Sequence, residues 1–143
     1  MVRLVVRAII FYVLFGVCAS RVGGRIDATL SAVIFNGVAT FIPLVIVFWR
    51  LLSKGGMEIV TTPLGVFLSV LAGVAIAAFS VLLVEIFRVG GNLSYVFPML
   101  YGSTIVLTSL IGWSLFNEYI STLQLCGIVV IIIGIGLVAW ARI

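Results

Sequence analysis

The sequence contains no histidine, only two cysteines and only four carboxylates, and charged residues fill just 8% of its 143 positions. Each shortage removes a class of function. With no histidine and no second cysteine pair, neither a zinc site nor a disulfide framework is expected. Cys18 and Cys126 both lie inside apolar runs, where thiols are usually inert packing residues. The acids Asp27, Glu58, Glu85 and Glu118 are scattered and unpaired, so an intramembrane enzyme ranks last among the readings. No catalytic residue, metal or cofactor is expected. The eight cations never form a run, so no patch exists to neutralise a phosphate backbone and no nucleic-acid partner is expected. What is abundant is apolar mass: 64% of the chain, with a formal net charge of +4. A soluble domain is about 45–50% apolar and about 25% charged. So few charges cannot clothe so much apolar mass in water, and disordered chains are poor in these residues. The chain is expected to be an all-α polytopic membrane protein, with the lipid bilayer as its principal partner.

A spanning helix needs about 20 mostly apolar residues. Five stretches qualify: residues 4–20, 28–49, 63–84, 93–116 and 123–140. Residues 1–20 also have the basic start, apolar centre and small end of a signal peptide. Four hydrophobic segments follow, so this stretch is read as the first span. Pro63 falls at a first-turn position, where its missing N–H costs nothing. The punctuation lies between the spans, in Arg21-Val-Gly-Gly-Arg25, Ser53-Lys54-Gly55-Gly56, Gly90-Gly91-Asn92 and Asn117-Glu118. No connection exceeds about a dozen residues, and a single five-helix domain over 1–143 is expected.

Five spans place Arg3, Arg7, Arg50 and Lys54 on one side and Arg21, Arg25, Arg88 and Arg142 on the other. Orientation normally follows a Lys/Arg excess, and an even split supplies none. Either a partner or minor signals orient the chain, or copies insert both ways and pair antiparallel. An odd span count makes the second copy of a duplicated unit inverted, as in inverted-repeat transporters.

Small residues recur at four-residue steps along the third span: Gly65, Ser69, Gly73 and Ala77. In the last span Gly127 and Gly134 share a face. Such faces admit close backbone approach, and both are expected to pack helices within the subunit or to form a dimer seam. Trp49, Trp113 and Trp140 lie near span ends and read as interfacial anchors.

The segments Ser94-Tyr-Val-Phe-Pro98, Ser109-Leu-Ile-Gly-Trp-Ser-Leu-Phe-Asn-Glu118, Gln124-Leu-Cys-Gly127 and Gly134-Ile-Gly136 carry a family resemblance. They resemble the EamA-like members of the drug/metabolite transporter superfamily, with a proline in the fourth helix, an acid in the tight turn after it and a glycine-rich last helix. Gly16 and Arg21 agree more loosely. The stretch Ile105–Trp113 is also similar to the small multidrug resistance proteins. Asn117 stands where EamA-like chains usually carry glycine. The first span has no acid, whereas the small multidrug resistance proteins use a glutamate there to exchange protons for cationic drugs. The resemblance implies a small-solute transporter working by alternating access, in the cytoplasmic membrane of a bacterium or archaeon. One five-helix unit would be half of the working protein, completed by an antiparallel second copy or by a similar short membrane chain. The alternative is a non-transporting membrane subunit, or half of a heterodimeric transporter or lipid-carrier flippase.

Ionisable groups within spans are functional candidates by default. Glu85, at the end of the third span, is three residues before Arg88, so it is either half of an interfacial ion pair or a substrate or proton group. Glu118 is expected to stabilise its turn, Asp27 to help begin the second helix, and Glu58 and Lys54 to be solvated. The fourth span is the most polar. Tyr101, Thr104 and Thr108 lie near one face, together with Ser94. They either bond their own backbone or line a cavity. Pro98 is expected to kink this helix and free a carbonyl near the midplane. The candidate substrate-binding set is therefore Arg21, Glu85, Tyr101, Thr104 and Thr108.

Overall fold

Side-chain caps at Asp27, Thr62 and Ser121 mark the starts of three of the helices. In the computed structural model, which describes residues 2–53 and 62–141 and side chains from Leu4 onward, the helices are α1 (Val2–Val22), α2 (Ala28–Leu52), α3 (Pro63–Arg88), α4 (Leu93–Leu115) and α5 (Thr122–Trp140). No strand occurs among the described residues. The shortest, α5, has 19 residues, which at about 1.5 Å per residue nearly covers a hydrocarbon core of about 30 Å. All five are long and apolar enough to cross a membrane. These are the lengths and compositions of an integral membrane protein. The side chain of Arg3 and the whole of Lys54, Glu58 and Arg142 lie outside the described residues.

Asp27 caps α2, its carboxylate accepting from the N–H groups of Thr29 at 2.9 Å and Leu30 at 3.1 Å. The bonds from Leu30 and Thr29 hold the Asp27 carboxyl below its ordinary value, with a smaller contribution from the positive charge of Arg88. Thr62 caps α3 through Gly65 N–H at 3.1 Å, and Pro63 occupies the first turn. Ser121 and Gln124 form a reciprocal capping box at the start of α5. Inside the helices, hydroxyls turn back on their own backbone. Thr40, Ser69, Ser80, Thr104, Thr108 and Ser114 each donate to the carbonyl four residues earlier, at 2.7–2.8 Å. A lipid-facing hydroxyl has no water to bond, so the helix satisfies it internally. α2 and α4 both run through a proline, Pro43 and Pro98.

Contacts divide the chain into two units, residues 18–90 and residues 1–17 with 91–143. In the first, α2 packs on α3 at one end only. Ala28, Ser31 and Ala32 of α2 and Ser80, Leu83, Val84 and Phe87 of α3 are buried there, with Ala19 from α1. Gly23 lies so close to Phe87 that a methyl group added to it would come within 2.7 Å of Phe87 Cβ. Beyond this knot, residues 37–52 and 63–78 are exposed throughout.

In the second unit α4 packs on α5. Gly16, Val96, Gly102 and Gly112 are buried, whereas α5 has no buried residue at all. Gly102 admits Ile135 of α5: an added methyl group would lie 2.6 Å from its side chain. Cys18 and Cys126 are both free and exposed, which corrects the expectation that they pack in a core. An apolar run in a bilayer protein faces lipid as readily as protein, so hydropathy alone does not imply burial.

Candidate functional site

The aromatic residues of α1 and α4 meet inside the second unit. Gly16, with no side chain, lets the Phe97 ring lie directly against its Cα. Phe97 then contacts Tyr101, ring centroids 5.0 Å apart. Tyr12 meets the same Tyr101 ring edge-on at 4.8 Å and an angle of 68°, and Phe15 stands 6.3 Å from Tyr12. The Tyr12–Tyr101 pair has the favourable edge-to-face geometry, and the other two pairs are tilted.

The cluster leaves one polar atom stranded. The Tyr101 hydroxyl is buried and makes no hydrogen bond among the described residues. The phenol of Tyr12 is close enough to act on it as a hydrogen-bonding neighbour, although the two hydroxyls do not meet strict hydrogen-bond geometry. Buried polar groups are almost always paired, and an unpaired one costs about 1–3 kcal/mol. The atom sits on a helix that carries Pro98 three residues earlier, and Pro98 removes one rung of the backbone ladder.

The other expected site residues behave differently. Thr104 and Thr108 spend their hydroxyl protons on Leu100 and Thr104 carbonyls, both at 2.7 Å, so of the α4 set only Tyr101 presents an unspent group. Each threonine oxygen can still accept. Glu85 is paired with Arg88 at 2.7 Å, on side chains 38% and 52% exposed, an ion pair that their spacing allows. Arg21 is exposed and makes no ion pair among the described residues. Arg21 and Glu85 belong to the unit of residues 18–90, and Tyr101, Thr104 and Thr108 to the other.

The two glycine stripes do not pack within the described residues. A methyl group on Gly73, Gly127 or Gly134 would meet nothing within 4 Å, and one on Gly65 would meet only the capping Thr62 hydroxyl. The glycines in close contact are Gly16, Gly23, Gly102 and Gly112, of which sequence reasoning noticed only Gly16, and not for packing. Tyr12 and Phe97 were also missed as functional neighbours. The available signal was the spacing of Tyr12 and Gly16, four residues and one helical turn apart.

Glu118 stabilises its turn through the backbone. Asn117 adopts a left-handed conformation, φ 52°, which asparagine tolerates better than most residues. This brings the Glu118 N–H to the Gly112 carbonyl at 3.0 Å. The Glu118 carboxylate itself has no hydrogen bond or ion pair among the described residues. Compared with known protein families, with characterised proteins and with solved structures, the chain matches none of them.

Proposed function

We propose that the protein is a small-solute membrane transporter of the EamA-like, drug/metabolite type, working as a pair of five-helix units. The observation that carries this reading is the unpaired Tyr101 hydroxyl, held by Tyr12 and Phe97 on a proline-containing helix. An orphan polar atom in an apolar span is retained at a cost, and a passing solute supplies the bond it lacks. Threonines 104 and 108 add acceptor oxygens on the following turns. The open faces of α5 at Gly127 and Gly134, with no buried residue on that helix, favour a second membrane chain against it. The even division of Lys and Arg between loops favours an inverted copy. Alternating access then comes from rocking of the two units about the cavity between them. A heterodimer with a similar short chain is the second reading, favoured by the same bare α5 face. The expected location is the cytoplasmic membrane of a bacterium or archaeon.

The test is solute uptake into vesicles containing the purified chain alone. Tyr101→Phe is expected to lower uptake at least tenfold while leaving the folded fraction unchanged or raised, because it deletes only the stranded hydroxyl. Full uptake by Tyr101→Phe would reject the assignment. Tags at both termini, probed from each side, test pairing: a single orientation for every copy rejects the antiparallel homodimer and leaves the heteromer.

A further inference from the structure

The chain has four side-chain amides, Asn36, Asn92, Asn117 and Gln124. Three lie at helix ends: Asn92 before the first residue of α4, Asn117 beyond its last, and Gln124 in the capping box of α5. Asn36 alone sits well inside a helix. Counted from Ala28, where α2 begins, it lies about 12 Å into a hydrocarbon core of about 30 Å.

A helix can satisfy a hydroxyl but not an amide. A hydroxyl has one proton, and the carbonyl one turn back accepts it, as at Thr40 and Ser69. An amide has two N–H donors and a carbonyl acceptor. Asn36 gives one N–H to the Ala32 carbonyl at 2.7 Å, and its side-chain oxygen accepts nothing among the described residues. The helix has no donor to offer, because its interior N–H groups are spent on its own ladder. Pro43 deepens the deficit: it has no N–H, so the Ala39 carbonyl loses the rung it would accept. Residues 37–52 are exposed throughout, so α3 does not cover this turn. Lipid supplies no donor either, and an unsatisfied amide in hydrocarbon is costly.

The missing donor is available one turn along the same helix. Thr40 gives its hydroxyl proton to the Asn36 backbone carbonyl at 2.8 Å, a carbonyl that the helical ladder already engages, so turning the hydroxyl outward costs little. Asn36 and Thr40 share a face. They stand about 12 Å and about 18 Å from the start of α2, on either side of the core's centre at about 15 Å. A two-fold axis in the membrane plane at that level exchanges the two positions. Gly37 lies between them, and a methyl group there would meet nothing within 4 Å, so a second backbone can approach closely. We infer that α2 pairs with α2 of an inverted second copy through reciprocal bonds, the Thr40 hydroxyl of each copy donating to the Asn36 side-chain carbonyl of the other. The remaining Asn36 N–H then faces the turn that holds the uncovered Ala39 carbonyl. The inference rests on the paired-unit reading above and names a contact that holds the pair; it does not require transport.

Disulfide trapping of the full-length chain in lipid vesicles tests it. Cys18 and Cys126, both free and exposed, are replaced by alanine, and single cysteines then report position. Gly37→Cys, beside the axis, is expected to give cross-linked dimer. Val47→Cys, on the same face about three turns away, meets itself only in a parallel pair and is expected to give none. In the Gly37→Cys chain, Asn36→Leu and Thr40→Val are each expected to weaken pairing about tenfold, read as cross-linked fraction against lipid dilution, the combined size of two symmetric interhelical bonds. Thr40→Val removes one exposed hydroxyl, so its effect is not one of folding. Gly134→Cys in the same background reads pairing through α5. A Gly37→Cys dimer that survives both substitutions overturns the Asn36–Thr40 contact, and cross-linking at Val47 as strong as at Gly37 overturns the inverted arrangement. Cross-linking at Gly134 alone overturns the inference and leaves the paired-unit reading standing. Its absence at both glycines removes the pairing itself.

Discussion

The two ends of the α2–α3 pair are built from equally apolar residues and do opposite things. At one end Ala28 and Ala32 of α2 close on Leu83, Val84 and Phe87 of α3, and Leu83 and Val84 are wholly shielded. At the other, Leu44, Phe48, Leu64, Phe67 and Leu68 all remain at least half exposed. Small side chains permit the contact but do not enforce it, since Gly65, Ser69, Gly73 and Ala77 are equally small and lie on the bare stretch of α3. Alanines at 28 and 32 bring α2 close enough for large side chains of α3 to fill the gap, whereas bulky residues face outward on both helices at the far end. Hydrophobicity places both ends in the bilayer. It does not pack them, because lipid tails are as apolar as leucine and offer no penalty for exposure.

The sharpest way to break this contrast is to truncate one residue at each end. Leu83→Ala should lower unfolding stability in mixed micelles toward the lower end of the about 2–5 kcal/mol found for buried leucines. The transfer part of that cost shrinks in an apolar solvent, and the cavity part remains. Leu68→Ala, on a side chain 51% exposed, should cost close to nothing. Equal losses would show that the bare end is covered.

The glycines provide the next test. Gly23→Ala places a methyl group 2.9 Å from the Phe87 backbone carbon, which cannot swing aside, and about 1–3 kcal/mol of overpacking is expected. Gly134→Ala meets open space and should leave the stability of the chain unchanged. A fall in dimer fraction for Gly134→Ala alone, read by cross-linking in nanodiscs, would identify α5 as the seam between subunits.

Smaller effects belong to the polar ends of the same helices. The Asp27 carboxyl is lowered in the folded protein by its bonds from Leu30 and Thr29. Its contribution to α2 is therefore complete above the ordinary value of 3.8 and disappears as pH falls through the lower folded value. Relative to the intrinsic exchange rate at each pH, protection of the Thr29 and Leu30 amides should fall on acidification in the native chain. In Asp27→Asn, which keeps the cap but not the titration, protection should lack that acid-induced fall. The least effect is expected from Glu85→Gln. Its exposed i,i+3 pair with Arg88 is worth about 0.3–0.5 kcal/mol at most. A proton role would instead appear as loss of pH-dependent uptake without loss of stability.

Much of the fold was legible because it is local. Pro63 announced the start of α3, and Asp27 that of α2, since a helix start depends on residues within one turn. The spacing of Glu85 and Arg88 was enough to pair them. The third span was expected to end at residue 84, but α3 continues to Arg88, a turn in which charged side chains interrupt the apolar run without interrupting the helix. The candidate site was legible only in part. Tyr101 was visible as a polar aromatic residue in a span. Tyr12 and Phe97 were not, because an aromatic ring in an apolar run carries no sign of what it faces. Thr104 and Thr108 kept both readings open until their hydroxyls were seen bonded to the preceding turn.

By itself, then, the sequence determined that this chain has five segments long and apolar enough to cross a bilayer, and where α2 and α3 begin. Those outcomes depend on the hydropathy of a segment and on neighbours within four residues. Only the tertiary structure decided which of the 15 glycines are contact points. Gly16 is one because Phe97 arrives from α4, Gly102 because Ile135 arrives from α5, and Gly112 because a left-handed Asn117 folds Glu118 back over it. A glycine records only the absence of a side chain. What fills that space is supplied by a residue from another part of the chain, and folding determines which one.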